Sequence, residues 1–246
     1  MNFLVPEWPL PGNIQCVVTT QFLGNIATHA GDLADVHRNR EILLRDGGLP
    51  REPVWLSQVH GSHVLLATGQ EAGIPTADAA YTRTCGLPLA VMVADCLPIL
   101  IASCSGEEIA VVHAGWRGLA REYVPQREPA QDPVLVGAGV IHSTVSAFGS
   151  QELMAWLGPA IGPCHYELDR TVRQAFPDEY GFLDVSEGHW MMDLHQIARR
   201  QLNALGITRV FSSDTCTRCD DRFFSYRHDR QCGRFAAVMW KSGKAN

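Results

Sequence analysis

Two imidazoles and one thiol stand at the ends of three short apolar segments in the first half of the chain. Each segment is rich in Val and bounded by Gly, Pro or Ser, which is typical of a buried strand. The three side chains are His60 after residues 54–59, Cys96 after residues 89–94 and His113 after residues 109–112. Two His and one Cys form the three-ligand set of a catalytic zinc, whose fourth position stays open for water. The trio therefore predicts an enzyme.

Two other interpretations of this trio remain open. A metal-free hydrolase would use Cys96 as the nucleophile and His113 or His60 as the base. A metal-binding protein without turnover would use the same three ligands. His63 is a second choice of ligand, because on a strand it faces away from His60. Asp95, beside Cys96, is the nearest carboxylate for a proton transfer.

Two further motifs carry residues with chemical potential. In the glycine-rich turn after His113, Arg117 could hold a phosphate or a carboxylate through two hydrogen bonds. Cys216 and Cys219, with Cys232 thirteen residues later, supply three of the four ligands of a zinc knuckle. A structural zinc needs four, and none stands at the expected spacing, so we expect no metal there. Most of the 8 cysteines are expected to be reduced and to pack in the core.

The elements that position these residues can be predicted from periodicity and turn signals. Helices are predicted at residues 35–46, 140–148 and 192–205. Strands are predicted at residues 54–59, 64–68, 79–82, 89–94, 99–103, 109–113, 208–212 and 235–240. Consecutive strands with helices grouped before and after them indicate an α+β fold, not alternating βαβ units.

Composition limits the class of protein. The 246 residues can form one catalytic domain, 1–246, and a net charge of −6 argues against a nucleic-acid or membrane-surface partner. The N-terminal segment lacks the features of a signal peptide, so we expect a cytoplasmic protein. Residues 121–138 contain three prolines and little periodicity, and are predicted to be a surface insertion. Oligomeric state is not indicated.

The motifs resemble those of a known family. They are Gln58-Val-His60-Gly, Ala94-Asp-Cys96-x-Pro, His113-Ala-Gly-Trp-Arg-Gly118, Gly158-Pro-x-Ile-Gly-Pro163, Cys216-Thr, Phe223-Phe-Ser-Tyr-Arg227 and Gly233-Arg234. In this order, across residues 24–240, they resemble the purine nucleoside phosphorylases once labelled polyphenol oxidase or laccase-like. Cys219 and Cys232 depart from the family pattern, and residues 121–138 are an insertion relative to it.

The resemblance implies a zinc enzyme with a mixed-sheet α/β/β/α sandwich fold. It implies phosphorolysis of adenosine, inosine and methylthioadenosine, and deamination of adenosine, with His60, Cys96 and His113 as metal ligands. Some bacterial members are linked to editing of peptidoglycan precursors, which is an alternative function. Copper polyphenol oxidase chemistry is disfavoured, because no two of the 10 histidines are separated by one residue. Copper could still occupy the site when supplied.

Individual roles follow from the two reactions. We expect Arg40, Arg117 and Arg227 to hold the phosphate, and Gln58 to contact the substrate. In deamination, His60, Cys96 and His113 hold the metal that activates water. Asp95 is the first candidate for moving the proton, with Asp78 and Glu167 as alternatives.

Overall fold

The computed structural model describes residues 1–120, 139–176 and 178–243, so the predicted insertion at 121–138 lies outside the described residues. The described strands are β1 (Phe3–Leu4), β2 (Ile14–Thr19), β3 (Val64–Leu66), β4 (Ala79–Thr82), β5 (Leu89–Val93), β6 (Leu97–Ser103), β7 (Ile109–Ala114), β8 (Leu153–Leu157), β9 (Glu167–Asp169), β10 (Phe182–Ser186), β11 (His189–Met192), β12 (Arg209–Ser212) and β13 (Phe235–Lys241). The described helices are α1 (Leu33–Asp46), α2 (Trp116–Leu119), α3 (Val140–Val145), α4 (Arg170–Arg173) and α5 (Leu194–Ala204).

Two sheets pack face to face in the centre of the molecule. One has the strand order β1-β2-β13-β5, and the other has the order β12-β8-β6-β7-β4-β3. Alternate residues of a strand point to opposite faces, so Leu100 and Ala102 of β6 meet Val91 and Ala237 of the smaller sheet. Both faces of β5, β6 and β7 pack in apolar clusters, which explains why these strands are buried along their whole length.

Helices cover the outer face of each sheet. Ile99 and Ile101 of β6 pack with Ile141 of α3 and Leu202 of α5. On the other side, α1 packs Leu43 against the smaller sheet. The layer order is therefore α/β/β/α, and the predicted α+β sandwich fold is confirmed. A separate three-stranded sheet, β10-β11-β9, lies beside the helices over the larger sheet.

Local sequence explains where two of these helices begin. The carboxylate of Asp32 accepts hydrogen bonds from the backbone N–H groups of Ala34 and Asp35 at the start of α1. At the start of α5, the carboxylate of Asp193 accepts a hydrogen bond from the backbone N–H of Gln196. No helix in the described ranges is long and apolar enough to cross a membrane.

One predicted strand is wrong, and another extends one residue further than predicted. Residues 54–59 form only isolated bridges, at Val54 and Ser57, and lead into a turn in which His60 has a φ of 61°. Because Pro53 precedes this segment and the turn at His60 ends it, a continuous ladder does not form. The strand predicted at residues 109–113 is β7, which continues to Ala114, and His113 within it is buried.

Candidate active site

A cavity of 660 Å³ lies where β5 ends and β7 leads into α2. This volume is in the range of roughly 300–1,000 Å³ that is usual for small-molecule sites. Its lining residues are His29, Leu56, Ser57, Gln58, His60, Met92, Val93, Ala94, Asp95, Cys96, His113, Trp116, Arg117, Tyr166, Tyr226, Arg227 and Arg234. The cavity therefore combines metal-ligating, cationic and aromatic side chains on one surface.

His60, Cys96 and His113 lie together at this cavity. Their candidate ligand atoms all lie within 4.8 Å of one another, and the two imidazole rings meet edge to face at 4.7 Å between centroids. One soft sulfur and two borderline nitrogens fit zinc, and also copper. The structure thus places the predicted trio in an arrangement that could hold a metal with three protein ligands.

Asp78 positions the two histidines of this trio through hydrogen bonds. Its carboxylate is fully buried and accepts hydrogen bonds from the backbone N–H groups of His60 at 2.8 Å and Gly61 at 2.7 Å. The carboxylate also pairs with Nδ1 of His113 at 2.8 Å and accepts from the backbone N–H of Val59 at 3.3 Å. Burial alone would raise the pKa of Asp78, but the hydrogen bonds from His113, Gly61 and His60 outweigh it and lower the pKa. Asp78 is therefore an ionised positioning residue.

The same network favours the ligating form of the cysteine. Burial would raise the pKa of the Cys96 thiol, but the facing His113 and hydrogen bonds with both histidines lower it to about 6. Burial would lower the pKa of His113, but the Cys96 thiolate and Asp78 raise it to about 9. Because Asp78 occupies Nδ1 of His113, Nε2 is the ring nitrogen that is left for Cys96 or a metal.

Asp95 also lines the cavity, next to Cys96 in the chain. One carboxylate oxygen accepts the Thr217 hydroxyl at 2.7 Å, and the other accepts the backbone N–H of Arg227 at 2.7 Å. Its φ of 89° is unusual for a residue other than glycine. Asp95 thus ties the turn between β5 and β6 to the loop that carries Arg227.

Two of the three predicted phosphate ligands line the cavity. Arg117 lies with its guanidinium 4.4 Å from the Trp116 ring centroid. Arg227 donates to the backbone oxygen of Glu167 at 2.9 Å and stacks 4.9 Å from the centre of the Tyr166 ring. Both guanidinium groups keep further N–H donors for a ligand.

Arg40 is placed differently from its predicted role. Its Nε donates to the backbone oxygen of Ile26 at 3.0 Å, and its guanidinium lies 4.0 Å from the centre of the Trp55 ring. It is not among the residues that line the cavity. These contacts join α1 to the loop before it, through Ile26, and to the segment after it, through Trp55.

The structure also places Gln58, Glu167 and His63. Gln58 lines the cavity, but its amide exchanges two hydrogen bonds of 2.8 Å with the backbone of Met92. Glu167 lies in an adjoining groove and pairs with His189 at 2.9 Å. His63 is absent from the described metal-ligating groups, which leaves His60 as the histidine of that turn.

The sequence analysis missed several cavity residues. His29, Tyr166, Tyr226 and Arg234 line it, although Tyr226 and Arg234 stand in quoted motifs. Burial raises the pKa of Tyr166 above that of an ordinary tyrosine. Burial and the nearby Arg234 lower the pKa of His29. These residues come from distant segments, so spacing alone gave no signal for them.

A second group of metal-ligating side chains corrects another prediction. Cys216 and Cys219 gather with Cys164 and His165, which are more than fifty positions earlier in the chain. The missing fourth ligand is therefore distant in sequence, and Cys232 is not part of the group. The expectation that most cysteines are core residues is also wrong, because only Cys16 is classed as buried.

Comparison with known proteins gives the relationships of the chain. A family model described as "Multi-copper polyphenol oxidoreductase laccase" matches residues 19–242. "Purine nucleoside phosphorylase YfiH" of Shigella flexneri is 39% identical over 257 residues, covering 97% of this chain and 98% of the relative. "Purine nucleoside phosphorylase" of Xylella fastidiosa (strain 9a5c) is 39% identical over 266 residues, covering 96% of each chain.

Two solved structures are similar to this chain over nearly its whole length. NMB0706 from Neisseria meningitidis has a TM-score of 0.87 and 35% identity, covering 99% of this chain and 100% of its own. YlmD from Geobacillus stearothermophilus has a TM-score of 0.84 and 27% identity, covering 99% of this chain and 97% of its own. The chain therefore belongs to the laccase-like family whose curated relatives are named purine nucleoside phosphorylases, as its motifs predicted.

Proposed function

We propose that this chain is a zinc-dependent purine nucleoside phosphorylase. Its substrates are adenosine, inosine and methylthioadenosine, and its products are the free base and ribose 1-phosphate or methylthioribose 1-phosphate. It also deaminates adenosine. The observation that carries the proposal is that three guanidinium groups, of Arg117, Arg227 and Arg234, line the same cavity as the His60, Cys96 and His113 trio. The names of the relatives support the same reaction class.

In this proposal the cavity arginines bind the phosphate. The chain as a whole carries a net charge of −6, whereas three arginines and one aspartate line this cavity. A guanidinium matches two phosphate oxygens at once, which orients the anion as well as attracting it. A phosphate oxygen then attacks C1′ of the ribose, the glycosidic C–N bond breaks, and the purine leaves with the bonding electrons.

In this proposal the aromatic residues of the cavity bind the nucleoside. Tyr166, Tyr226 and Trp116 line the cavity, and their rings offer flat apolar surfaces for a purine. Like any tyrosine, Tyr166 is protonated at physiological pH, and burial raises its pKa further. Its hydroxyl suits a purine nitrogen that gains electron density as the base leaves.

His60, Cys96 and His113 would hold the zinc, which supplies a Lewis acid with an open coordination position. Asp78 keeps both histidines in place and stays out of the reaction, because its carboxylate is fully buried and already has several donors. Glu167 is occupied by His189 in the outer groove. Asp95 lines the cavity and has one donor on each oxygen, whereas Asp78 has two on each, so Asp95 is our choice for the proton transfer in deamination.

The test is product analysis of the pure protein incubated with adenosine, with and without phosphate. Adenine and ribose 1-phosphate should form only with phosphate, and inosine should form without it. Arg117→Lys and Arg227→Lys should each raise the phosphate KM about tenfold, because loss of one charge-assisted hydrogen bond costs about 1.5 kcal/mol or more. Arg38→Lys, on the exposed face of α1, is the matched control. Unchanged phosphate KM in both cavity variants would contradict the proposal.

A second candidate function is supported by the Cys96, His113 and Asp78 geometry. A lowered thiol pKa, a facing imidazole and a buried carboxylate on the other ring nitrogen also describe a cysteine hydrolase. Protein purified without added metal decides between the two. A zinc content of about one ion per chain at this site supports the phosphorylase. A metal-free site in which iodoacetamide rapidly alkylates Cys96 supports the hydrolase.

A further inference from the structure

Four soft or borderline ligands meet at a place in the fold that the proposed reaction does not use. Strands β8 and β12 are parallel neighbours, so their carboxyl ends lie at one edge of the larger sheet. The loop after β8 carries Cys164 and His165, and the loop after β12 carries Cys216 and Cys219. A bridge between Ala160 and Cys216 pairs the two loops directly.

The separations of these atoms match a tetrahedral ion. Zinc with ligand bonds of about 2.3 Å to sulfur and about 2.0 Å to nitrogen places two sulfurs about 3.8 Å apart, and sulfur and nitrogen about 3.6 Å apart. The Sγ atoms of Cys164 and Cys219 are 3.6 Å apart, and Nδ1 of His165 lies 3.4 Å from Cys219 Sγ and 3.9 Å from Cys216 Sγ. All four ligand atoms lie within 4.8 Å of one another.

The backbone around the sulfurs is arranged as in a metal knuckle. The N–H of Cys219 donates to the oxygen of Cys216 at 3.0 Å, which closes the Cys-x-x-Cys turn. The N–H of Gly162 donates to Cys216 Sγ at 3.2 Å, a bond that suits a thiolate. A Cβ at Gly162 would lie 3.4 Å from the sulfurs of both Cys164 and Cys216. Glycine at this position therefore keeps space beside the ligands.

A disulfide is a poorer explanation of the same group. An S–S bond is about 2.05 Å long, and the Cys164 and Cys219 sulfurs are well beyond that distance. A disulfide would also leave the third thiol and the imidazole without a role. Four converging ligands of the Cys₃His type instead match a closed structural zinc site.

We propose that Cys164, His165, Cys216 and Cys219 bind a second zinc ion, which joins the loops after β8 and β12. The ion has no open position for a substrate, so its role is structural. Each loop leads to the cavity, because Tyr166 follows His165, and the hydroxyl of Thr217 donates to Asp95. The ion thus fixes the two loops that position Tyr166 and Asp95 at the cavity.

The experiment counts zinc in the full-length protein, purified with a reductant and measured by mass spectrometry. Wild type should hold two ions per chain, and Cys219→Ser and Cys96→Ala one each. Cys85→Ser, an exposed cysteine outside the group, should hold two. If the first site takes no zinc, the single ion of wild type should persist in Cys96→Ala and vanish in Cys219→Ser. An equal ion count in Cys219→Ser and wild type overturns the proposal.

A second measurement does not depend on the folding of Cys219→Ser. The Cys96→Ala variant should take up Co²⁺ with the intense sulfur-to-metal absorption of several thiolates, because its first site has lost its only thiol. Removal of that ion with a chelator should lower the melting temperature of the variant. Absence of the thiolate absorption, or an unchanged melting temperature after metal removal, would exclude a structural ion at the second site.

Discussion

Replacing Asp78 with Asn tests how the candidate zinc site is held. One oxygen of Asp78 accepts from His60 N and His113 Nδ1, and the other accepts from the N–H groups of Gly61 and Val59. An amide has only one oxygen, so in either orientation its NH₂ faces two donors. With about 1.5 kcal/mol or more for each hydrogen bond to a charged group, the loss is about 3 kcal/mol in the free energy of unfolding. Loss of the carboxylate behind His113 should also weaken zinc binding about 10- to 100-fold.

The assay combines urea unfolding with zinc affinity measured by chelator competition, and its matched control is Glu108→Gln. Glu108 is a buried carboxylate that accepts from the backbone N–H groups of Gly149 and Ser150, at the end of β7 opposite His113. That variant should lose a similar amount of stability but keep the zinc affinity of wild type. If Asp78→Asn binds zinc as tightly as Glu108→Gln does, Asp78 does not position the ligands, and our reasoning about the trio is refuted.

Three further predictions follow from single contacts. Gly115→Ala places a Cβ 3.0 Å from Cys96 Sγ and 3.0 Å from His60 Cδ2. Zinc affinity in the chelator competition assay should therefore fall about tenfold, with the fold retained. The control is Gly12→Ala, where a Cβ meets open space and zinc affinity should not change. Burial opposes ionisation of Glu108, but hydrogen bonds from Tyr81, Gly149 and Ser150 outweigh it and lower its pKa. Its contribution to stability is therefore complete above about pH 4.3 and lost as the pH falls through the lower folded pKa, so acid unfolding curves of Glu108→Gln should be flatter than those of wild type below that pH. Arg234→Lys should raise the phosphate KM in steady-state assays without changing zinc content, and an unchanged KM would assign Arg234 to its contacts with the Cys232 and Gly233 oxygens.

The sequence was sufficient for the trio because its ligands stand at the ends of strongly apolar segments. Periodicity located β5 and β7 closely, and these strands carry Cys96 and His113 to the cavity. It failed for residues 54–59, where an apolar segment forms isolated bridges and a turn. The arginines show the limit most clearly. Arg40 has a suitable residue type but stacks on Trp55, whereas Arg234 was not selected and lines the cavity.

The second metal group could not be predicted, for a topological reason. Cys164 and Cys219 are brought together because β8 and β12 pair in parallel across an intervening segment that contains α5. The short-range rule that a knuckle needs a nearby fourth ligand is therefore the wrong test. A better signal was the adjacent pair Cys164 and His165, directly after the Gly162-Pro163 turn, combined with a Cys-x-x-Cys after a later strand.

Two residues at this site have an unusual backbone conformation, and carboxylates stabilise both turns. His60 and Asp95 have φ values of 61° and 89°, in a region that costs a residue other than glycine about 1–3 kcal/mol. The surrounding hydrogen bonds offset that cost. Asp78 accepts from the N–H groups of His60 and Gly61, and Asp95 accepts from Thr217 and Arg227. These turns present His60 and Asp95 to the cavity, so the placement of both residues depends on two carboxylates that the sequence analysis had considered for proton transfer.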